Sequence, residues 1–413
     1  MQQSHKTVLW VILSICLVML WNNWQEQHGQ PTLFGQKPAQ TAQQQTQAQQ
    51  GNGNQAAGAD ASIPSAPANG SSDASAAVPG NEASQPAKAG ETITLQNDVI
   101  KLGIDAVGGQ ISYSELLHHI HNTQDPNSGN LVIQSDRQGT YFVGQTGLVG
   151  VKDAPNHTTP MTVVRRIETN GQTTGVVLAA EGGGLRIERT YQLSPGSYEI
   201  KVDNRVTNVG EQSVSPALYL QLTRDTHEAP GQSGYYKTYA GPVVYTDADK
   251  FQKVSFDDIQ KGKAKHSGKA TDGWVGIIQH YFVSAWVPKQ GQAREYYTRS
   301  VGNGRYAAGA YEPLGQINAG QTVDVGETLF IGPQDQDVLA KVAPGLDLVV
   351  DYGWVTAIAK PLFWLLTFLH GILGNWGWAI VALTILVKLA FFPLQAASYR
   401  SMAKMRKVQP RLN

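Results

Sequence analysis

The chain has 413 residues, too many for one ordinary domain and enough for a large buried core. Its 32 Lys and Arg side chains balance 32 Asp and Glu, and the resulting net charge of zero excludes a global basic field for nucleic acid. The single cysteine, Cys16, excludes an internal disulfide framework and a cysteine-based zinc cluster. Charged residues make up 15% of the chain, below the roughly 25% of average soluble domains.

Residues 1–24 predict an N-terminal transmembrane signal anchor. From Thr7 to Trp21 the chain is uncharged and apolar for about the length needed to cross a bilayer. Lys6 precedes this segment and favours a cytoplasmic N-terminus. The alternative is a cleaved signal peptide, but Asn22-Asn23-Trp24-Gln25 follows where a small-x-small cleavage site would be expected.

Residues 25–90 consist mainly of Gln, Ala, Gly, Asn, Ser and Pro. Between Lys37 and Glu82 the only large aliphatic residues are Ile63 and Val78. A segment of this composition cannot bury enough apolar surface to offset its conformational entropy, so it is predicted to be a disordered linker. Its Gln-rich run also permits a prion-like interpretation, which the interspersed Pro and Gly disfavour.

Residues 91–343 show the alternation of apolar and polar side chains that is typical of β-strands. One face of a predicted strand holds Leu185, Ile187, Arg189, Tyr191 and Leu193. Turn signals separate the strands at Gly182-Gly183-Gly184, Ser194-Pro195-Gly196, Asn208-Val209-Gly210 and Gly302-Asn303-Gly304. About 250 residues of this pattern predict one large antiparallel β-sandwich.

Residues 344–373 place apolar side chains at helical spacing. The run from Pro361 to Leu373 is short for a membrane span and is flanked by Lys360 and His370. This pattern predicts an amphipathic helix at the membrane interface. Pro361 fits either the first turn of a second helix or a kink within a single one.

Residues 374–397 are apolar and long enough to span a bilayer, which predicts a second transmembrane helix. Residues 398–413 carry Lys and Arg but no acidic residue, so they are predicted to be cytoplasmic and to begin a helical segment. With both ends of the chain in the cytoplasm, residues 25–373 would lie outside it. A third span within residues 346–373 would send the basic end outward, against the charge rule.

Tryptophans support this two-span topology. Trp21 and Trp24 end the first predicted span, whereas Trp376 and Trp378 begin the second. Both pairs would therefore lie at the same outer interface, as in an aromatic belt.

Lys388 is the one charge within the second predicted span. A charge near the middle of a membrane helix costs about 3 kcal/mol on insertion scales, so it marks a water-filled cavity or a partner, or else it snorkels to the headgroups. Thr384 lies four residues earlier and shares a helix face with Lys388. This polar stripe suits a groove or a packed neighbouring helix rather than open lipid.

The predicted β domain offers no catalytic signature. His227 and His280 are not accompanied by metalloprotease, nucleophile-elbow, Walker or dinucleotide motifs, and both are predicted to be structural. The aromatic-rich segment Gly273–Pro288 is attributed to core packing before ligand stacking. We therefore expect no catalytic residue, metal site or cofactor, and no enzymatic activity.

Four motifs resemble the YidC family of bacterial inner-membrane protein insertases. They are Gly273–Pro288, Gly374-Asn375-Trp376-Gly377, Phe392-Pro393-Leu394 and Ser401-Met402-Ala403-Lys404-Met405. The order of segments also resembles that of the Gram-negative members. The resemblance implies a periplasmic β-supersandwich and a membrane core of five helices around a hydrophilic groove. Lys388 falls at the family's positively charged groove position, which is usually arginine, and Thr384 falls at a polar groove position.

The resemblance further implies a membrane protein insertase and chaperone that needs no cofactor. The implied partners are nascent membrane proteins, the Sec translocon with its accessory subunits, the ribosome and the lipid bilayer. Family members continue beyond the last residue of this chain, so it is expected to be a C-terminally truncated form for which activity is not expected. Two alternatives remain open: a membrane-anchored periplasmic module that binds a carbohydrate or a partner protein, and a periplasmic sugar-active enzyme.

Overall fold

The computed structural model describes residue 63 and residues 91–122, 125–135, 140–226, 239–350 and 356–408. The predicted signal anchor, the predicted linker apart from Ile63, and His227 lie outside these ranges. All described residues belong to one compact unit, residues 57–413.

Eighteen strands lie within the described residues. They are β1 Thr92–Gln96, β2 Ile100–Asp105, β3 Ile111–Asn122, β4 Asp125–Ser135, β5 Tyr141–Val149, β6 Thr162–Thr169, β7 Gln172–Gly182, β8 Leu185–Leu193, β9 Glu199–Asn208, β10 Ala217–Asp225, β11 Gly241–Thr246, β12 Lys250–Lys253, β13 Lys269–Ala270, β14 Trp274–Ile278, β15 Phe282–Val287, β16 Arg294–Gly302, β17 Arg305–Pro313 and β18 Thr322–Pro333.

The strands form two nine-stranded sheets. The first has the order β1-β2-β3-β4-β5-β10-β17-β16-β13, and the second has the order β12-β11-β14-β15-β18-β9-β8-β7-β6. The described pairings are antiparallel, as in β10 with β17 and β18 with β9. Apolar side chains from both sheets form the main core between them. The prediction of one large antiparallel β-sandwich is therefore confirmed.

The alternation that predicted β8 is present in its burial. Every second residue from Leu185 to Leu193 is buried, and the set includes Arg189, which is 2% exposed. Its guanidinium donates from Nε to Asn204 Oδ1 at 2.8 Å and from Nη1 to the carbonyl of Gly108 at 2.9 Å. Because Gly108 lies between β2 and β3, this arginine joins the two sheets through satisfied hydrogen bonds.

The aromatic segment Gly273–Pro288 forms β14 and β15. Trp274 and Trp286 are among the largest fully buried side chains of the described residues. Trp286 donates from Nε1 to the carbonyl of Gln221 on β10 at 3.1 Å, which connects the second sheet to the first. Burial of both indole rings confirms the core-packing interpretation of this segment.

The helices are α1 Phe256–Gln260, α2 Gln336–Val342, α3 Thr356–Leu373 and α4 Trp376–Val408, with a 3-10 helix at Leu346–Val349. Leu346 and Val349 are buried in a core cluster of the β domain together with Trp274. The segment predicted as one interfacial helix, 344–373, thus begins with residues that pack in the β domain. Pro361 lies inside α3.

Candidate functional site

Helix α4 carries the two predicted groove residues. Among the described helices only α4 is long and apolar enough to cross a membrane. The candidate span is Trp376–Met402, with a mean hydropathy of 2.0. Its large apolar side chains, including Ile385, Leu389 and Phe392, are exposed. A helix with an apolar surface on most sides is suited to lipid or to neighbouring helices.

Lys388 and Thr384 lie one turn apart on α4, as their spacing predicted, and both are exposed. Thr384 donates from Oγ1 to the carbonyl of Ile380 at 2.8 Å, so its own hydrogen is satisfied within the helix. Residues 352–413 contain no Asp or Glu. The segment therefore offers Lys388 no acidic counter-ion of its own, and its charge is available to attract an anionic group.

Pro393 lies inside α4 and gives this part of the helix a third polar group, a backbone carbonyl. Proline has no backbone N–H, so the carbonyl of Leu389, four residues earlier, loses its usual helical donor. That carbonyl directly follows Lys388 in the sequence. A cation, a hydroxyl and a carbonyl without its helical donor are thus contained in less than two turns of an otherwise apolar segment.

The turn between α3 and α4 fixes where the apolar helix begins. Gly374 has a φ of 65°, in the left-handed region that favours glycine, and its N–H donates to the carbonyl of His370 at 2.8 Å. The N–H of Trp378 donates to Asn375 Oδ1 at 3.3 Å, a helix-capping contact. The rings of His370 and Trp376 stack with centroids 3.9 Å apart. The Gly374-Asn375 pair therefore ends one helix and starts the next.

A cavity of about 1130 Å³ lies between the β domain and α3. The β domain contributes His118, His119 and His280, and α3 contributes Lys360 and Trp364. Burial, and secondarily the charge of His118, lower the pKa of His119. Among the described residues no group of three or more His, Cys, Asp or Glu is arranged to hold a metal ion.

Sequence reasoning missed a buried polar network on the first sheet. Gln221 donates from Nε2 to Gln145 Oε1 at 2.7 Å, Thr223 donates to the same oxygen at 2.9 Å, and Tyr297 donates to Gln221 Oε1 at 2.9 Å. The available signal was the polar spacing Gln221, Thr223 within the otherwise apolar β10. Since each donor has a partner, the network favours rigidity over chemistry.

A second buried polar cluster joins three strands. Arg294 on β16 forms an ion pair with Glu312 on β17 at 3.5 Å, and Glu327 on β18 accepts from the N–H of Lys289 at 3.1 Å. Burial first, and then the hydrogen bond and negative charge of Glu312, raise the pKa of Glu327 to about 10. One cation therefore neutralises Glu312, while Glu327 keeps its proton at neutral pH.

Two family models match the chain. The model for the YidC periplasmic domain matches residues 92–365, and the model for the 60Kd inner membrane protein matches residues 368–413. Together they include the β domain, α3 and α4.

Curated relatives agree with these matches. A membrane protein insertase YidC from Bordetella petrii is 45% identical over 412 residues, which cover 99% of this chain and 72% of the relative. The protein of the same name from Bordetella parapertussis is 47% identical over 413 residues, with the same coverage of 99% and 72%. The chain belongs to the YidC family of membrane protein insertases.

Solved structures also resemble the chain, at low identity. A galactose mutarotase related enzyme from Lactobacillus acidophilus has 10% identity and a TM-score of 0.40, covering 59% of this chain and 97% of its own. The YidC of Thermotoga maritima has 12% identity and a TM-score of 0.32, covering 78% of this chain and 75% of its own. These likenesses add nothing to the family assignment.

Proposed function

We propose that the chain functions as a membrane protein insertase and chaperone of the bacterial inner membrane. The observation that carries the proposal is its 45% identity to a named insertase over 99% of its length. Such a protein lowers the cost of moving polar segments across the bilayer, because it offers them polar partners where lipid offers none. The substrates are nascent membrane proteins. The family assignment favours this function over an anchored periplasmic binding module or a sugar-active enzyme.

The proposed topology follows the order of the segments. Residues 1–24 anchor the chain, residues 25–90 form a linker, the β domain lies in the periplasm, and α3 lies at the outer interface. Exposed aromatic residues support this position of α3, namely Phe363, Trp364 and Phe368. Helix α4 then crosses towards the cytoplasm, where its basic residues lie after residue 398.

Lys388 and Thr384 are proposed as substrate-groove residues of α4. Lys388 lies twelve positions after Trp376 and twelve before Arg400, which at a rise of about 1.5 Å per residue is about 18 Å in each direction. With a hydrocarbon core of about 30 Å, the ammonium group lies near the middle of the membrane. Helical side chains lean towards the helix N-terminus, which here is away from the cytoplasmic headgroups. This lean opposes snorkelling towards the cytoplasm and favours a hydrated groove.

In that groove the two side chains have different roles. The Lys388 ammonium attracts acidic residues of a substrate segment that is about to cross, since it has no acidic neighbour within residues 352–413. The Thr384 hydroxyl, whose hydrogen is used within the helix, offers an acceptor for water or for a substrate N–H. The Sec translocon with its accessory subunits and the ribosome are proposed partners, on the grounds of family membership alone.

The test is charge reversal at Lys388. The full-length gene carrying Lys388→Glu is expressed in a strain depleted of its own insertase, and insertion is measured by protease protection of a substrate with a short acidic periplasmic segment. We expect the inserted fraction to fall several-fold, because like charges now oppose entry. Lys388→Arg, which keeps the charge, is the matched control and should insert normally. Normal insertion by Lys388→Glu would remove this role from Lys388.

A further inference from the structure

Ile63 is one of two large aliphatic residues in a polar segment, and it contacts the β domain. Between Lys37 and Glu82 only Ile63 and Val78 have large aliphatic side chains. Ile63 packs on a cluster on the first sheet formed by Val149, Ala217, Tyr219, Tyr297 and Tyr311, called here the tyrosine site. Contact with this cluster removes the apolar surface of Ile63 from water, which the polar residues near it in the sequence cannot do.

The tyrosine site lies on the face of the first sheet that points away from the main core. In β10, Leu218 and Leu220 belong to the core between the sheets, whereas Tyr219 points to the opposite face. Tyr297 and Tyr311 pack on each other with ring centroids 4.4 Å apart. The rings form an aromatic floor on which Ile63 packs.

Glycines in the neighbouring strands leave room for these rings. Gly309 lies opposite Tyr297, and a Cβ there would be 2.6 Å from the Tyr297 hydroxyl oxygen. Gly147 lies opposite Tyr219, and a Cβ there would be 2.7 Å from the Tyr219 hydroxyl oxygen. Both tyrosines thus lie flat over backbone that carries no side chain, so the floor is built into the sheet.

Arg299 forms a hydrogen bond with the backbone of Ile63. Its Nη1 donates to the carbonyl of Ile63 at 3.2 Å. Its guanidinium also lies over the Tyr297 ring, 5.7 Å from the centroid, which orients it towards the site. One charge-assisted hydrogen bond therefore accompanies one apolar contact at Ile63.

We propose that the linker segment around Ile63 is the ligand of the tyrosine site and docks there in the same chain. Twenty-eight residues separate Ile63 from Thr92, and a covalent connection within one chain supplies an effective concentration of roughly millimolar order. Such a concentration favours a contact within the chain over the same contact between separate chains. With Ile63 docked, residues 25–62 connect the membrane anchor to the β domain, instead of residues 25–90.

Photo-crosslinking in the full-length, membrane-embedded protein tests the proposal. Benzoylphenylalanine is placed at Ser62, beside an intact Ile63, and in the matched control at Ala77, beside an intact Val78. Crosslinked peptides are identified by mass spectrometry. We expect the probe at 62 to reach peptides that contain Tyr297 or Tyr311 within the same chain, with a yield at least about fivefold above that of the probe at 77.

A second substitution separates docking from chance proximity. Ile63→Ser should lower the crosslink yield from position 62 about tenfold, because the apolar contact is lost. Val78→Ser should leave that yield unchanged, and neither linker substitution removes a side chain of the sheets. An unchanged yield with Ile63→Ser, equal yields from 62 and 77, or crosslinks to a second chain would each overturn the proposal.

Discussion

Glu327 shows how burial can hold a carboxyl group in its neutral form. It lies with Glu312 and Arg294 where β18 of one sheet faces β16 and β17 of the other. One buried guanidinium cannot compensate two buried carboxylates, so the proton on Glu327 removes the excess negative charge. The cluster therefore makes the packing of the two sheets sensitive to pH.

This cluster predicts the direction in which stability changes with pH. Folding raises the pKa of Glu327 from 4.5 to about 10, so above pH 4.5 the folded chain retains a proton that the unfolded chain has lost. The contribution of Glu327 to the free energy of unfolding should be largest below pH 4.5 and should decline as the pH rises towards 10, by at most about 1.4 kcal/mol per pH unit. Urea unfolding of the detergent-solubilised chain, followed by the circular dichroism of its sheets, measures this slope.

Glu327→Gln is the control for that slope, because an amide keeps the acceptor for the Lys289 N–H without a titrating proton. We expect the variant to lose most of the decline and to be more stable than the wild type at alkaline pH. Identical slopes for the two proteins would show that Glu327 is ionised in the folded chain.

Helix α4 combines an apolar surface with a short polar stripe, and the stripe has a direction. Lys388 and Thr384 share one face, whereas Leu389 lies about 100° around the helix from Lys388 and is 64% exposed. A groove is a directional feature, since only one face of the helix borders it. Snorkelling depends chiefly on depth.

Moving the charge by one residue distinguishes the two roles. The double variant Lys388→Leu with Leu389→Lys keeps the composition and shifts the charge by only about 1.5 Å in depth, but turns it away from Thr384. We expect insertion of an acidic substrate to fall as far as in Lys388→Leu alone, measured by protease protection in the depletion strain. Full recovery by the double variant would support snorkelling instead.

At the scale of the whole molecule, the β domain and α4 make different demands on their surroundings. The β domain buries its apolar side chains between two sheets and needs only water outside. Helix α4 exposes Phe391, Phe392 and Leu394 and needs lipid or further helices around it. Between them, α3 contributes exposed aromatic residues and Lys360 to the cavity facing the β domain, as expected at a boundary between water and lipid.

The proposed orientation predicts which surfaces a membrane-impermeant thiol reagent can reach. In a Cys16→Ser background, the exposed Lys263 of the β domain and the exposed Ser401 of α4 are each replaced by cysteine. After the outer membrane is permeabilised, position 263 should be labelled at once, and position 401 only when the inner membrane is also disrupted. Labelling of position 401 in cells with an intact inner membrane would reverse the orientation.

The sequence by itself determined those features that depend on local spacing. Alternation revealed the strands and placed Arg189 on a buried face, since side chains alternate sides along any strand. The four-residue spacing placed Thr384 and Lys388 on one helix face, and hydropathy located α4. Gly374 and Asn375 could be read as a helix end and start for the same reason, because capping depends on neighbouring residues.

Only the tertiary structure decided which distant residues meet. The Arg189 partner Gly108 is 81 positions away, and the Arg299 contact with Ile63 joins residues 236 positions apart. Leu346 and Val349 continue the apolar spacing of the following helix, yet they pack beneath Trp274 in the β domain. Periodicity reports that a side chain is apolar and on which face it lies, but not which surface covers it, because that surface is assembled from strands far apart in the chain.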